Sequence, residues 1–98
     1  METNYKLNRL LAGETFATKE SGNSMIPIIH HQQEHVLAPA KWEDCEVKDI
    51  VYCKVSGRFY THLVHAKDLK KGLQIGNNKG GINGWTKQVF GKVIEILP

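Results

Sequence analysis

Long apolar runs are missing from this 98-residue chain. No stretch approaches the ~20 residues that a bilayer-spanning helix needs, and no signal-peptide pattern opens the sequence. The chain therefore reads as cytoplasmic, with no membrane partner. Cysteine is scarce too: Cys45 and Cys53 are the two present, and they form no metal or redox spacing. Cys53, set in an apolar run, reads as a small buried hydrophobe. Acidic residues are thin in the second half. Residues 1–49 carry 5 Lys/Arg against 8 Asp/Glu, a balance of −3, and residues 50–98 carry 8 against 2, a balance of +6. The lysines are nevertheless scattered, with only Lys70 and Lys71 adjacent and no basic helix, so they read as a solvated surface and a nucleic-acid partner is not expected. Repeats, low-complexity segments and linkers are absent as well, which leaves a single domain over 1–98.

What is present is an ordinary globular composition, 41% apolar and 23% charged, in short patterned segments. Thr3 can cap a short helix that carries Leu7, Leu10 and Leu11 on one face, with Gly13 as its stop. From Glu14 to Glu20 a weak alternation around Phe16 predicts a strand that leads into a serine loop. Glu34–Ala38 predicts a second strand, stopped by Pro39. Ile50–Val55 and Phe59–Val64 are β-rich runs joined by Ser56-Gly57-Arg58, which reads as a three-residue hairpin turn. A strand around Leu73–Ile75 follows, then a loop, Gly76–Trp85, dense in glycine and asparagine. Val89–Ile96 closes the chain as a strand. Together these predict a mostly β domain, a curled or barrel-like sheet with one short N-terminal helix.

The segment Gly22-Asn23-Ser24-Met25-Ile26-Pro27 stands out within this pattern. A small residue and a polar one precede a serine, and a methionine and a turn-forming proline follow. Thirty-eight residues later His62 sits on a predicted strand. A serine on a kinked loop and a histidine on a strand can meet as nucleophile and general base, and neutral imidazole suits that task near pH 7. The backbone around Ser24, with Asn23 and Met25 supporting the loop, could donate to a developing oxyanion, where one donor is typically worth ~10²–10³ in rate. Met25 would plug the core beneath the serine, and Pro27 would fix the exit direction with Ile26 extended. Each residue also has a plainer reading. Ser24 can serve a local turn, and His62 can be a half-buried structural histidine. His65 should face the opposite, exposed side of the strand. Trp42 and Trp85 fit core or edge anchors, and Trp85 with Asn83 could form a binding rim beside the Asn/Gly-rich loop. His30, His31 and His35 invite a metal reading because His31 and His35 would share a helix face. The surrounding residues predict loop and strand instead, so no metal is assigned and no cofactor is called for.

Taken in order, these motifs resemble the superfamily of signal peptidases and LexA-type self-cleaving repressors, from about Ser21 to Ile96. Gly-Asn-Ser-Met-x-Pro is similar to the family's nucleophile box. Val47-Lys48-Asp49-Ile50-Val51 resembles its Gly-Asp-Ile-Val strand start, with Lys48 in the glycine position, and Phe90-Gly91-Lys92-Val93-Ile94 resembles the closing strand. His62 falls where some members place a lysine base and others a histidine. The compact form, with Ile75-Gly76-Asn77-Asn78 and Asn83-Gly84-Trp85, looks like a small standalone group of bacteria and their phages. The resemblance implies the LexA C-terminal/signal-peptidase fold, a Ser24–His62 pair acting on an extended peptide added to a strand edge, and a homodimer through the closing strand. It also exposes departures. Leu63 follows the histidine where an arginine is usual. The expected histidine-orienting aspartate is replaced by Asn77 and Asn78, with Asp68 as a conceivable substitute. Two functional classes follow. One is a small soluble serine peptidase. The other is a catalytically weak or inactive module that binds and modulates a protein partner, as a phage or mobile-element protein acting on a host factor would.

Overall fold

The computed structural model describes residues 4–20, 22 and 25–98. Thr3 therefore lies outside the described residues, and Asn4 holds the helix cap: its side chain accepts from the Leu7 N–H at 3.0 Å. Helix α1 spans Tyr5–Leu11. It ends on Gly13, in the left-handed region at φ +83°, with Gly13 N–H bonded to Leu10 O and Glu14 N–H to Arg9 O. That double bond is the Schellman closure the sequence pattern asked for. Only Leu10 of the three leucines is fully buried; Leu7 packs at the cluster's margin and Leu11 is 69% exposed.

Seven strands follow: β1 Phe16–Lys19, β2 Glu34–Pro39, β3 Ile50–Val55, β4 Arg58–Asp68, β5 Gly72–Gly76, β6 Ile82–Thr86 and β7 Val89–Ile96. A 3-10 turn, Trp42–Asp44, lies between β2 and β3. All pairings are antiparallel, in the order β1-β2-β7-β3-β4-β5-β6. The fold is mostly β with one short helix, as the patterning predicts. The sheet curls, because Lys54 N–H reaches Gln88 O at 2.9 Å and Thr86 Oγ1 donates to Lys54 O at 2.7 Å, so the end of β6 folds back toward β3. It is not a barrel: β1 and β6 remain as edges. No helix among the described residues is long and apolar enough to cross a membrane.

Two local expectations change. The β3–β4 turn contains two residues, not three, since Val55 pairs directly with Arg58. Ser56 and Gly57 both have positive φ, +50° and +81°, which is the type I′ geometry that matches strand twist. The stretch Gly76–Trp85 is likewise not loop throughout, because Ile82–Thr86 pairs with β5. Trp85 therefore sits on an edge strand, half-buried, with the Lys71 ammonium 5.3 Å from its ring centroid; Trp42 packs against the core beneath Lys87.

Alternation along β3 divides the core. Val51, Cys53 and Val55 face one cluster with Val64, Leu73 and Ile75, while Tyr52 on the other face joins Leu10, Phe16 and Leu37. Met25, Ile29 and Ile50 form a third cluster under the turn that follows the serine segment. Both cysteines are free and buried, and burial raises their thiol pKa values to about 11 for Cys45 and about 12 for Cys53.

Candidate functional site

Register in the β3–β4 hairpin decides where His62 points. His62 pairs with Val51 and Tyr60 with Cys53, so both rings share the face over which β5 and β6 curl. Tyr60 and His62 stack at 4.9 Å between centroids. From β6, Asn83 Oδ1 comes within 2.7 Å of His62 Nδ1. An amide oxygen can only accept, so the His62 Nδ1–H donates to it. His62 is half-buried, packed on one side by a ring and oriented by a hydrogen bond.

A cavity of about 160 Å³ opens beside it, lined by Glu20, Gly22, Met25, Phe59, Thr61 and His62 among others. It lies along β4 where Arg58–His62 pair with β3 alone among the described strands; pairing with β5 begins at Leu63. Asn23 and Ser24 lie outside the described residues, and their neighbours Gly22 and Met25 both line the cavity that His62 lines. Met25 is buried at 5% exposure in the cluster beneath, as expected. Residues 25–28 form a turn closed by Ile29 N–H to Met25 O at 2.9 Å, so Ile26 lies in a turn and not in an extended run.

The residues proposed to orient the histidine are placed elsewhere. Asp68 ends β4 six residues beyond His62 and accepts from the Lys70 and Lys71 N–H groups, a turn cap that draws its carboxyl below the ordinary range. Asn77 Oδ1 accepts from the Lys79 and Gly81 N–H groups within its own loop. Asn78 Nδ2 donates to Ile26 O at 3.0 Å and ties that loop to the turn after the serine. The side chain that meets His62 Nδ1 is that of Asn83, read from sequence only as part of a binding rim. Trp85, its companion in that reading, is not among the cavity-lining residues. His65 is corrected in its exposure: beside a bulge between Val64 and Ala66 it is half-buried, with Nε2 2.9 Å from Asn77 O.

Sequence reasoning missed Glu20. Phe16 and Thr18 are buried and Lys19 exposed, so Glu20 falls on the inward side of the β1 period just before the serine segment. Its Oε1 accepts from Lys6 Nζ at 2.7 Å and Thr61 Oγ1 at 2.5 Å. His35 lies behind it, fully buried, its Nε2 3.9 Å from the same oxygen and without a hydrogen bond. Burial lowers the His35 pKa, against smaller opposing effects from its bond to Gln33 O and from Glu20. His30 and His31 are exposed on the loop before β2, where His31 Nδ1 accepts from Gly22 N–H at 2.8 Å. No cluster of three or more His, Cys, Asp or Glu side chains could hold a metal among the described residues.

The arrangement supplies a histidine held by a hydrogen bond, a cavity, and beside it a stretch of β4 that pairs with β3 alone among the described strands. No family model matches the chain, nor does any curated protein or solved structure.

Proposed function

We propose that this chain is a small serine peptidase of the signal-peptidase/LexA type, with Ser24 as nucleophile, His62 as general base and Asn83 as the group that orients the base. The observation that carries the reading is the 2.7 Å contact between His62 Nδ1 and Asn83 Oδ1 at the rim of a cavity also lined by Gly22 and Met25. The Asn83 contact holds Nε2 as the proton acceptor, and a serine hydroxyl is a weak nucleophile until such a base takes its proton. In catalysis the Ser24 Oγ–H proton passes to Nε2 as Oγ bonds to the substrate carbonyl carbon. His62 then returns that proton to the leaving amine, and water repeats the sequence to release the acyl group.

The substrate is an extended peptide. In a two-residue hairpin the closing pair is hydrogen-bonded, so Arg58, Tyr60 and His62 bond toward β3, and Phe59 and Thr61 carry outward-facing N–H and C=O groups. A peptide strand laid along that edge passes the cavity and His62. The reading requires no cofactor, places the activity in the cytoplasm, and admits a homodimer through β7.

A fluorophosphonate probe tests it directly. Oγ–P forms, P–F breaks, fluoride leaves, and His62 takes the hydroxyl proton. Wild type should be labelled on Ser24, Ser24→Ala spared, and His62→Ala slowed by about 10²–10⁴-fold. Absence of labelling on the folded wild type would overturn the peptidase. One observation favours the second reading, a binding module on the same groove: the orienting group is a neutral amide, which stabilises imidazolium less than a carboxylate does. An unlabelled protein whose cellular effect survives Ser24→Ala would support that reading.

A further inference from the structure

Glu20 stands in the cavity wall on the opposite face of β4 from His62, and its environment narrows what can enter. Its side chain is 28% exposed, and its position is fixed from two sides. Thr61 Oγ1 donates to Oε1 at 2.5 Å, and Lys6 donates to the same oxygen at 2.7 Å while also reaching Lys19 O at 3.2 Å and lying 5.9 Å from the Tyr52 ring centroid. A carboxylate offers about four acceptor sites, and these two donors occupy only Oε1, which leaves capacity on Oε2. Met25, Ile29 and Phe59 give the same cavity an apolar wall.

Resting on the peptidase reading above, we infer that Glu20 is the specificity-determining residue of this cavity and selects a short substrate side chain with a neutral hydrogen-bond donor, a hydroxyl or an amide. Charge and size exclude the other classes. An acidic side chain meets the carboxylate. A cationic one meets Lys6, which already neutralises Glu20 from 2.7 Å. An apolar side chain displaces water from Glu20 and returns no donor, and an unmatched polar group is the larger cost in such sites. A cavity of about 160 Å³ takes a group no larger than a small ring, since an engineered cavity of ~150 Å³ accepts benzene. Fully enclosed sites built for a substrate hydroxyl reject its absence by about 10⁴–10⁵. This cavity is open to water, so the expected preference is smaller, about tenfold to a hundredfold.

Two peptidyl diphenylphosphonates separate the possibilities, one with a hydroxymethyl side chain next to phosphorus and one with an ethyl side chain of the same size. Each loses phenoxide when Ser24 attacks. On wild type the hydroxymethyl probe should label at least tenfold faster. In Glu20→Ala the ratio of the two rates should fall to about one whatever the absolute rates become. In Glu20→Gln, which keeps one acceptor oxygen and serves if Glu20→Ala fails to fold, it should settle in between. A merely structural glutamate would slow both probes alike and leave the ratio unmoved. Equal rates on wild type, or a preference that survives both substitutions, overturn the inference and leave the peptidase standing. Failure of the side-chain-free fluorophosphonate to label Ser24 overturns both.

Discussion

Replacing Asn83 with alanine isolates the one contact that distinguishes an oriented base from a histidine that happens to lie on a strand. Asn83 Oδ1 accepts from His62 Nδ1–H at 2.7 Å. A hydrogen bond between neutral partners contributes about 0.5–1.5 kcal/mol. On the peptidase reading, Ser24 passes its proton to the ring, and the bond from the resulting imidazolium is charge-assisted, at about 1.5–3 kcal/mol. Only the difference, about 1–1.5 kcal/mol, lowers the barrier, which is about five- to twelvefold in rate. Asn83→Ala should therefore slow fluorophosphonate labelling by roughly tenfold. That is far less than His62→Ala, whose loss removes the whole base.

The stability side of the same substitution is separable. Losing a half-buried bond of about 1 kcal/mol should lower Tm by about 4–8 °C in a domain of this size, measured by circular dichroism. Asn83→Asp moves the rate the other way, because a carboxylate holds the developing imidazolium better than an amide. Labelling of Asn83→Ala at the wild-type rate, in protein whose melt shows the expected shift, would refute the orienting role. A decrease as large as that of His62→Ala with an unchanged melt would refute the arithmetic, since it would mean that Asn83 does more than hold the ring.

Three other perturbations test the surrounding frame. Cys45 and Cys53, with thiol pKa values raised by burial to about 11 and about 12, should give no reaction with an aromatic disulfide reagent at pH 8 and two thiols per chain in guanidinium; stability should fall as pH rises above about 9, where only the unfolded thiols ionise. Burial lowers the His35 pKa below its ordinary 6.5, so the unfolded chain binds a proton that the folded one refuses. Urea melts should then lose stability as pH falls below about 6.5, by up to 1.36 kcal/mol per pH unit until the folded pKa is reached, and His35→Phe should flatten that slope between pH 6.5 and 5. Leu37, fully buried between α1 and the sheet, should cost about 2–5 kcal/mol as Leu37→Ala in equilibrium unfolding.

The sheet was legible where side chains are β-branched or alternate, and the site was legible where it is built of such strands. Ile50–Val55 and the following run carry their strand character openly, so His62 lands on a strand in both readings. Asn83 was obscured because Ile82-Asn83-Gly84-Trp85 contains residues that strands disfavour; tertiary pairing to β5 makes it a strand regardless. The bulge beside His65 was equally unreadable, since one inserted residue switches the face of the residues that follow, Ala66 and Lys67, without leaving a compositional mark. Glu20 could have been found: a carboxylate two residues beyond Thr18 on the inward side of a strand is a position that charged side chains rarely take without a partner.

The segments around the cavity are held together differently from the rest of the molecule. Apolar clusters bind α1 and the sheet, and one of them reaches under the serine segment through Met25. Above that anchor, the ties among residues 20–31, 59–62 and 76–83 are polar: Thr61 to Glu20, His62 to Asn83, Asn78 to Ile26 and Gly22 to His31. A net hydrogen bond contributes about 1 kcal/mol and can be exchanged for one to water or to a bound peptide at little cost, whereas separating a packed apolar cluster carries its full transfer energy. The floor of the cavity is therefore fixed and its rim can yield. On the peptidase reading, a peptide strand that docks along β4 can take over the Asn78–Ile26 and Gly22–His31 ties, while Thr61–Glu20 and His62–Asn83 stay made and Met25 keeps the turn that follows Ser24 seated on the core.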